Sequence, residues 1–296
     1  MKRKSILIVL SGLLFFGLFA TNVFAQDQDK PITPDQPVVQ EQPRVIEEAI
    51  VLSDPTVAQS RKWLIGLSGE YWYVYQQYNR YYTNGTTYST GTINGGMPGG
   101  TITLGYDAFT LAYSFRKGSF EANSTFGPET GHPDATSVLK QDQTEHEITA
   151  RWLFKVSPHF NPYILVGYNH TIKDDEETVD AAHVWGYNSS RVSKNDRIYK
   201  SPLFGLGAII PFNKYIGMRL DGRVLYSWSE RVREDGVKWS GTGAGGAVVG
   251  TFYWNIWQGL NAQVGGKYQY LNGGDDGVGS NWKIGAYGMI GYTYKF

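Results

Sequence analysis

Arg219, Asp221 and Arg223 stand two residues apart, and Glu145, Glu147 and Arg151 share one parity further upstream. In an extended strand, residues of one parity project to one side. Each set therefore forms a row of mixed charge on a single face. Opposite charges in a narrow, partly desolvated space must pair, because an unpaired buried charge costs several kcal/mol. Glu70, Arg116 and Lys283 also fall in mid-segment on the polar parity. Two readings follow: an ion-pair network that fills and shapes an interior, or a lined passage for ions or small polar solutes.

Other chemistry is sparse. His132, His146, His159, His170 and His183 are scattered, and no HExxH motif occurs. The run Asp174 to Glu177 lacks the glycine and spacing of an EF-hand loop, and neighbours on a strand alternate faces, so its four acids cannot converge. Cysteine is absent, which excludes a disulfide framework, thiolate metal ligands and a Cys nucleophile. No catalytic residue, metal or cofactor is indicated. With 27 Lys+Arg against 27 Asp+Glu, the chain also lacks the basic footprint of a nucleic-acid binder.

The elements that hold these charges read as strands. The 296 residues include 36 Gly, 21 Tyr, 14 Phe and 9 Trp, a composition suited to many short strands and unlike a disordered chain. Lys2, Arg3 and Lys4, an apolar run from Ile6 to Ala20 and a Val23-Phe24-Ala25 site have the layout of a signal peptide cleaved after Ala25. The apolar run is shorter than the ~20 residues a membrane helix needs. Residues 26–62 hold no Gly and no aromatic residue but five of the twelve prolines, and read as an extended tether facing the periplasm.

Residues 63–296 show period-two alternation. Trp63, Ile65, Leu67, Tyr71, Tyr73 and Tyr75 share one parity, against Ser68, Glu70 and Gln76. Ile148, Ala150, Trp152 and Phe154 alternate with Glu147, Thr149, Arg151 and Lys155. The spacing predicts ten strands, at about 63–78, 97–106, 109–125, 142–156, 162–177, 197–212, 215–231, 242–254, 259–272 and 281–296; eight or twelve are the alternative counts. Short turns follow the even strands. Longer polar segments (79–96, 126–141, 178–196, 232–241, 273–280) follow the odd ones. They carry Tyr, Trp and small polar residues that suit recognition of a ligand.

The face assignment decides the class. A packed soluble barrel, of lipocalin type, would put the apolar parity inside. Here the polar parity carries mid-strand charge and the apolar parity carries aromatics near strand ends. This fits an antiparallel transmembrane β-barrel with a lipid-facing band, aromatic girdles and a polar lumen. At ten strands the lumen is expected to be narrow or closed. The final stretch GMIGYTYKF places Tyr292, Tyr294 and Phe296 on one face.

That stretch, beside the signal peptide and the loop asymmetry, resembles the bacterial outer-membrane β-barrels of Gram-negative-type envelopes. The resemblance implies export, insertion by the barrel-assembly machinery with Tyr292, Tyr294 and Phe296 as its recognition signal, and contact with outer-membrane lipid and lipopolysaccharide. A monomer with a structural or surface-interaction role is the leading expectation, and a narrow porin-like pore the alternative. Ten strands is also the count of the omptin-type surface proteases, and small barrels that modify lipid A resemble this architecture too. A rim hydrolase around His170 and Asp174 is therefore a second alternative, although no Asp-x-His occurs on a facing strand.

Overall fold

A computed structural model describes residues 63–81, 87–126, 136–179, 191–273 and 280–296. The segment read as a signal peptide with Ala25, the segment at 26–62 read as a tether, His132 and His183 lie outside the described residues.

Ten strands follow one another: β1 (Trp63–Tyr81), β2 (Thr87–Tyr106), β3 (Phe109–Phe126), β4 (Thr136–Leu153), β5 (Asn161–Val179), β6 (Arg191–Pro211), β7 (Ile216–Arg233), β8 (Lys238–Trp257), β9 (Leu260–Gly273) and β10 (Ser280–Lys295). Each pairs antiparallel with its sequence neighbours, and β1 pairs with β10 to close the barrel. Closure leaves no unpaired sheet edge, which a lipid-embedded sheet cannot tolerate.

The tight turns at one end have local causes. Asp107 adopts a positive φ of 51° between β2 and β3, and Gln258 and Gly259 adopt 38° and 97° between β8 and β9. Between β6 and β7, the Asn213 carboxamide oxygen accepts from the amides of Tyr215 and Ile216, an Asx-type turn.

The apolar parity faces outward. Trp152 and Ile290 are 51% and 66% exposed, while Leu153 and Leu165 are buried inside. On β1 the outward face runs from Trp63 to Tyr75, roughly 30 Å along the barrel axis at ~3.3 Å rise and ~40° tilt, which matches an apolar band with its two girdles. Trp63 and Tyr106 pack at 4.6 Å in the girdle of the short-turn end, and Tyr75 and Trp282 at 5.4 Å in the other.

Most strands run further toward the long-connection end than alternation predicts. Residues 87–96, 136–141, 191–196 and 238–241, read as loop from sequence, are strand. Beyond the apolar band the outer face no longer meets lipid, so it need not be apolar and the period-two contrast fades. β2 adds a second cause. Its pairing with β3 is interrupted between Asn94 and Gly99, where Pro98 has no amide to donate. A Cβ on Gly118 of β3 would lie 2.4 Å from the Gly96 carbonyl oxygen, so only Gly lets the strands pass there. The Met97 side chain turns into the lumen and is buried.

The lumen is not uniformly polar. Leu153, Tyr163, Leu165, Leu203, Leu225 and Tyr253 cluster on the β4–β8 wall. Trp72, Val74, Met97, Phe120, Leu139 and Tyr287 cluster on the wall from β10 through β1 to β4. The mid-strand charges lie between the two.

Candidate functional site: the charged lumen

Every charge singled out in mid-strand points inward. On β4 the odd residues face the lumen, which brings Glu145 and Glu147 out on one wall, both buried. Arg116 of β3 bridges two carboxylates: its Nε donates to Glu70 Oε1 and its Nη1 to Glu145 Oε1, each at 2.9 Å. The other Glu145 oxygen accepts from Lys283 Nζ of β10 at 3.2 Å. Trp72 Nε1 donates to the second Glu70 oxygen at 3.0 Å. The same indole lies 4.8 Å beneath the Arg116 guanidinium and stacks on Tyr287 at 4.3 Å.

A second network sits beside the first. Arg223 of β7 donates from Nη1 to Glu147 Oε1 at 3.1 Å and from Nε to Asp221 Oδ1. Tyr163 donates its hydroxyl to Asp221 Oδ2 at 3.0 Å. Lys267 Nζ of β9 stands 3.9 Å from Glu147 Oε2. β4 and β9 are five strands apart in either direction around the ring, so this contact crosses the barrel's full diameter. Ion pairs this dry hold only when each carboxylate oxygen is matched, and here each of the eight has a named partner.

Arg151 and Arg219 lie beside the second network, near enough for both to act on the Asp221 carboxylate. Arg151 lies 5.9 Å from the Tyr163 ring. Arg219 reaches Thr251 Oγ1 with Nη2 at 3.4 Å. The structure thus joins Glu70, Arg116, Glu145 and Lys283 in one network and Glu147, Asp221 and Arg223 in the other, with Arg151 and Arg219 beside the second. Lys267, Tyr163, Trp72 and Tyr287 were missed from sequence. Lys267 was legible, since it shares the inward parity of β9 with Asn261 and Gln263. The three aromatics were not, because a large ring on the polar parity contradicts the pattern used to find that parity.

The rim candidates disperse. His170 and Asp174 both lie on the outer face of β5, four residues apart, or roughly 13 Å along the strand. That is too far for the hydrogen bond a catalytic pair requires. His170 instead stacks on His146 at 6.2 Å, and His146 Nδ1 shares a 2.8 Å hydrogen bond with the Tyr113 hydroxyl. The acidic run splits by parity. Asp175 pairs inward with Arg197 at 2.8 Å, and Glu176 outward with Lys194 at 3.1 Å. Asp174 sits directly between Asp142 and Asp196 on the outer face, beyond the last outward aromatic of β5. Partial burial, with Asp196, Asp142 and Asp175 adding repulsion, pushes its carboxyl above the usual range.

Tyr292, Tyr294 and Phe296 face outward at the short-turn end, with Tyr294 and Phe296 stacked at 6.0 Å. Phe296 exchanges two backbone hydrogen bonds with Trp63.

No protein-family model and no curated relative matches the sequence. Solved structures do match. The outer membrane protease OmpT from Escherichia coli aligns over 79% of this chain and 97% of its own, at 10% identity and a TM-score of 0.56. The fold is that of a bacterial outer-membrane β-barrel. OprG from Pseudomonas aeruginosa (14% identity, TM-score 0.38, 80% of this chain and 96% of its own) and the translocator domain of the autotransporter NalP from Neisseria meningitidis (10%, 0.43, 77% and 88%) also align. These matches span proteins of different roles.

Proposed function

We propose that this chain is an integral outer-membrane scaffold that holds strand extensions and loops at the cell surface for recognition, and that its lumen is sealed rather than conducting. One observation carries the reading. Glu147, gripped by Arg223 and approached by Lys267 from the opposite wall, ties the barrel shut across its middle. The apolar clusters fill space beside that tie. The short-turn end then faces the periplasm, and the long connections face outward. Lipid and lipopolysaccharide are the partners that suit the outer face, where the His146–His170 pair and Lys200 lie in one row beside the aromatic band. The barrel-assembly machinery is the partner that suits insertion.

Planar-bilayer recording of the folded protein tests the sealed lumen. Silence at moderate voltage is expected, and a steady conductance that Arg116→Ala alters would replace the scaffold with a pore. Proteinase K treatment of intact cells tests the orientation. Cleavage between residues 180 and 190 is expected, and cleavage confined to the turn at 213–215 would reverse it.

A further inference from the structure

Imidazole is the commonest metal-ligating side chain, and the barrel brings one pair of imidazoles together. His146 of β4 and His170 of β5 are direct cross-strand partners. Both point outward and both are half-buried. Directly opposite residues of an antiparallel pair hold their Cβ atoms ~4.5–5.5 Å apart. The two rings lie nearly parallel, at 26°, with centroids 6.2 Å apart. Two imidazoles that share a tetrahedral metal at ~2.0–2.1 Å per nitrogen have centroids roughly 5 Å apart. The difference of about 1 Å is within reach of a small side-chain rotation.

The surroundings favour a cation of one class. Phe115 packs against His146 at 5.2 Å, and His146 Nδ1 shares its 2.8 Å hydrogen bond with the Tyr113 hydroxyl. When Nδ1–H donates to that oxygen, the Nε2 lone pair is free. An outer partner orients a metal-bound histidine in this way. Lys200, the β6 neighbour of His170, would repel a cation, but its Nζ is drawn to Glu230 Oε1 at 3.4 Å. Glu145 and Glu147, the sequence neighbours of His146, face the lumen. The nearest outward acids of the two strands, Asp142 and Asp174, stand four residues further along, or roughly 13 Å. Among the described residues no third histidine or acidic side chain completes the group. Two imidazoles without a carboxylate favour zinc, nickel or copper over calcium or magnesium, and leave the other coordination positions to water. Ile148 and Tyr168 mark the apolar band on one side of the pair, and Asp142 and Asp174 the polar zone on the other. Such an ion therefore arrives from the aqueous side at the long-connection end.

We propose that His146 and His170 form a surface site for a divalent cation of the zinc, nickel and copper class, with Tyr113 as the positioning residue of His146. The bound ion ties β4 to β5 where the barrel leaves the apolar band. The site is independent of the scaffold reading and of whether the lumen conducts, because both rings lie on the outer face.

Isothermal titration calorimetry of the detergent-folded full chain, carrying no polyhistidine tag, with zinc chloride tests this. One saturable site is expected, undisturbed by a millimolar excess of magnesium. An outer partner of a metal-bound histidine is worth about 10–100-fold in affinity. Tyr113→Phe should therefore weaken zinc binding roughly tenfold, and His146→Ala or His170→Ala by more. The two histidine variants are independent, so either serves if the other does not fold. His159→Ala, in the short turn between β4 and β5, should bind like the parent. Copper(II) on the parent chain should give an electron paramagnetic resonance spectrum with coupling to two imidazole nitrogens, reduced to one in either histidine variant. Absence of saturable zinc binding, unchanged affinity in a folded His146 or His170 variant, or a single coupled nitrogen in the parent would overturn the proposal. So would displacement by magnesium, which places the ion on the Asp142, Asp174 and Asp196 row instead.

Discussion

At the residue scale, the lumen networks make single substitutions costly in a characteristic way. Arg116→Ala leaves Glu70 without its cation and deprives Glu145 of one of two, in a space where neither recovers full hydration. A loss of ~3–5 kcal/mol in unfolding free energy is expected, as for other broken buried ion pairs, measured by urea titration in lipid vesicles. A loss below ~1 kcal/mol would show that water reaches the site. Asp174 behaves oppositely. Its raised pKa means that the folded chain binds that proton more tightly than the unfolded chain does. Stability therefore falls as pH rises from the ordinary carboxylate value through the raised one, and the penalty persists at neutral pH. Asp174→Asn should be the more stable protein at pH 7, by a small amount because the site is largely exposed, and the gap should close under acid conditions. Melting curves at the two pH values check this. The inward direction of the mid-strand charges was legible from parity alone. Their partners were not, because pairing depends on strands distant in sequence: Lys283 meets Glu145 from 138 residues away.

At the element scale, each strand must satisfy lipid on one face and a packed lumen on the other. Val248 on β8 is 57% exposed and lies toward the middle of the outward apolar band. Val248→Arg should destabilise the barrel by ~2–4 kcal/mol, the cost of arginine near the bilayer midplane, read from refolding yields and denaturant curves in vesicles. The lumen face imposes close fits instead. A Cβ on Gly207 of β6 would stand 2.4 Å from the Tyr163 ring, so Gly207→Ala must displace the phenol that donates to Asp221. A cost of ~1–3 kcal/mol is expected, typical of overpacking. Tyr163→Phe should cost less, since the ring is kept. Strand number and order were legible because lipid enforces strict alternation in the band, as in Trp63 to Tyr75. Strand length was not. Outside the band, segments such as 136–141 can be polar on both faces and still pair.

At the scale of the whole molecule, the sequence speaks through its orientation, apolar outside and ionic within. It is silent on how far the interior is filled, because a lumen residue such as Trp72 or Leu165 looks by itself like an error in the pattern. Two apolar clusters and two ionic networks together leave a cavity of 90 Å³ near the barrel middle. Neighbouring positions on β8 separate the faces directly: Val248 outside, Ala247 inside and buried. The chain has no cysteine, so single replacements report one position at a time. The decisive measurement is the accessibility of Val248→Cys and Ala247→Cys in lipid vesicles, to a membrane-impermeant thiol reagent and to a lipid-soluble one. An inside-out barrel with a filled lumen predicts that position 248 reacts with the lipid-soluble reagent alone and that position 247 reacts with neither. Ready reaction of position 247 with the water-soluble reagent would mean an open lumen, and the same result at position 248 would mean that lipid does not cover that face.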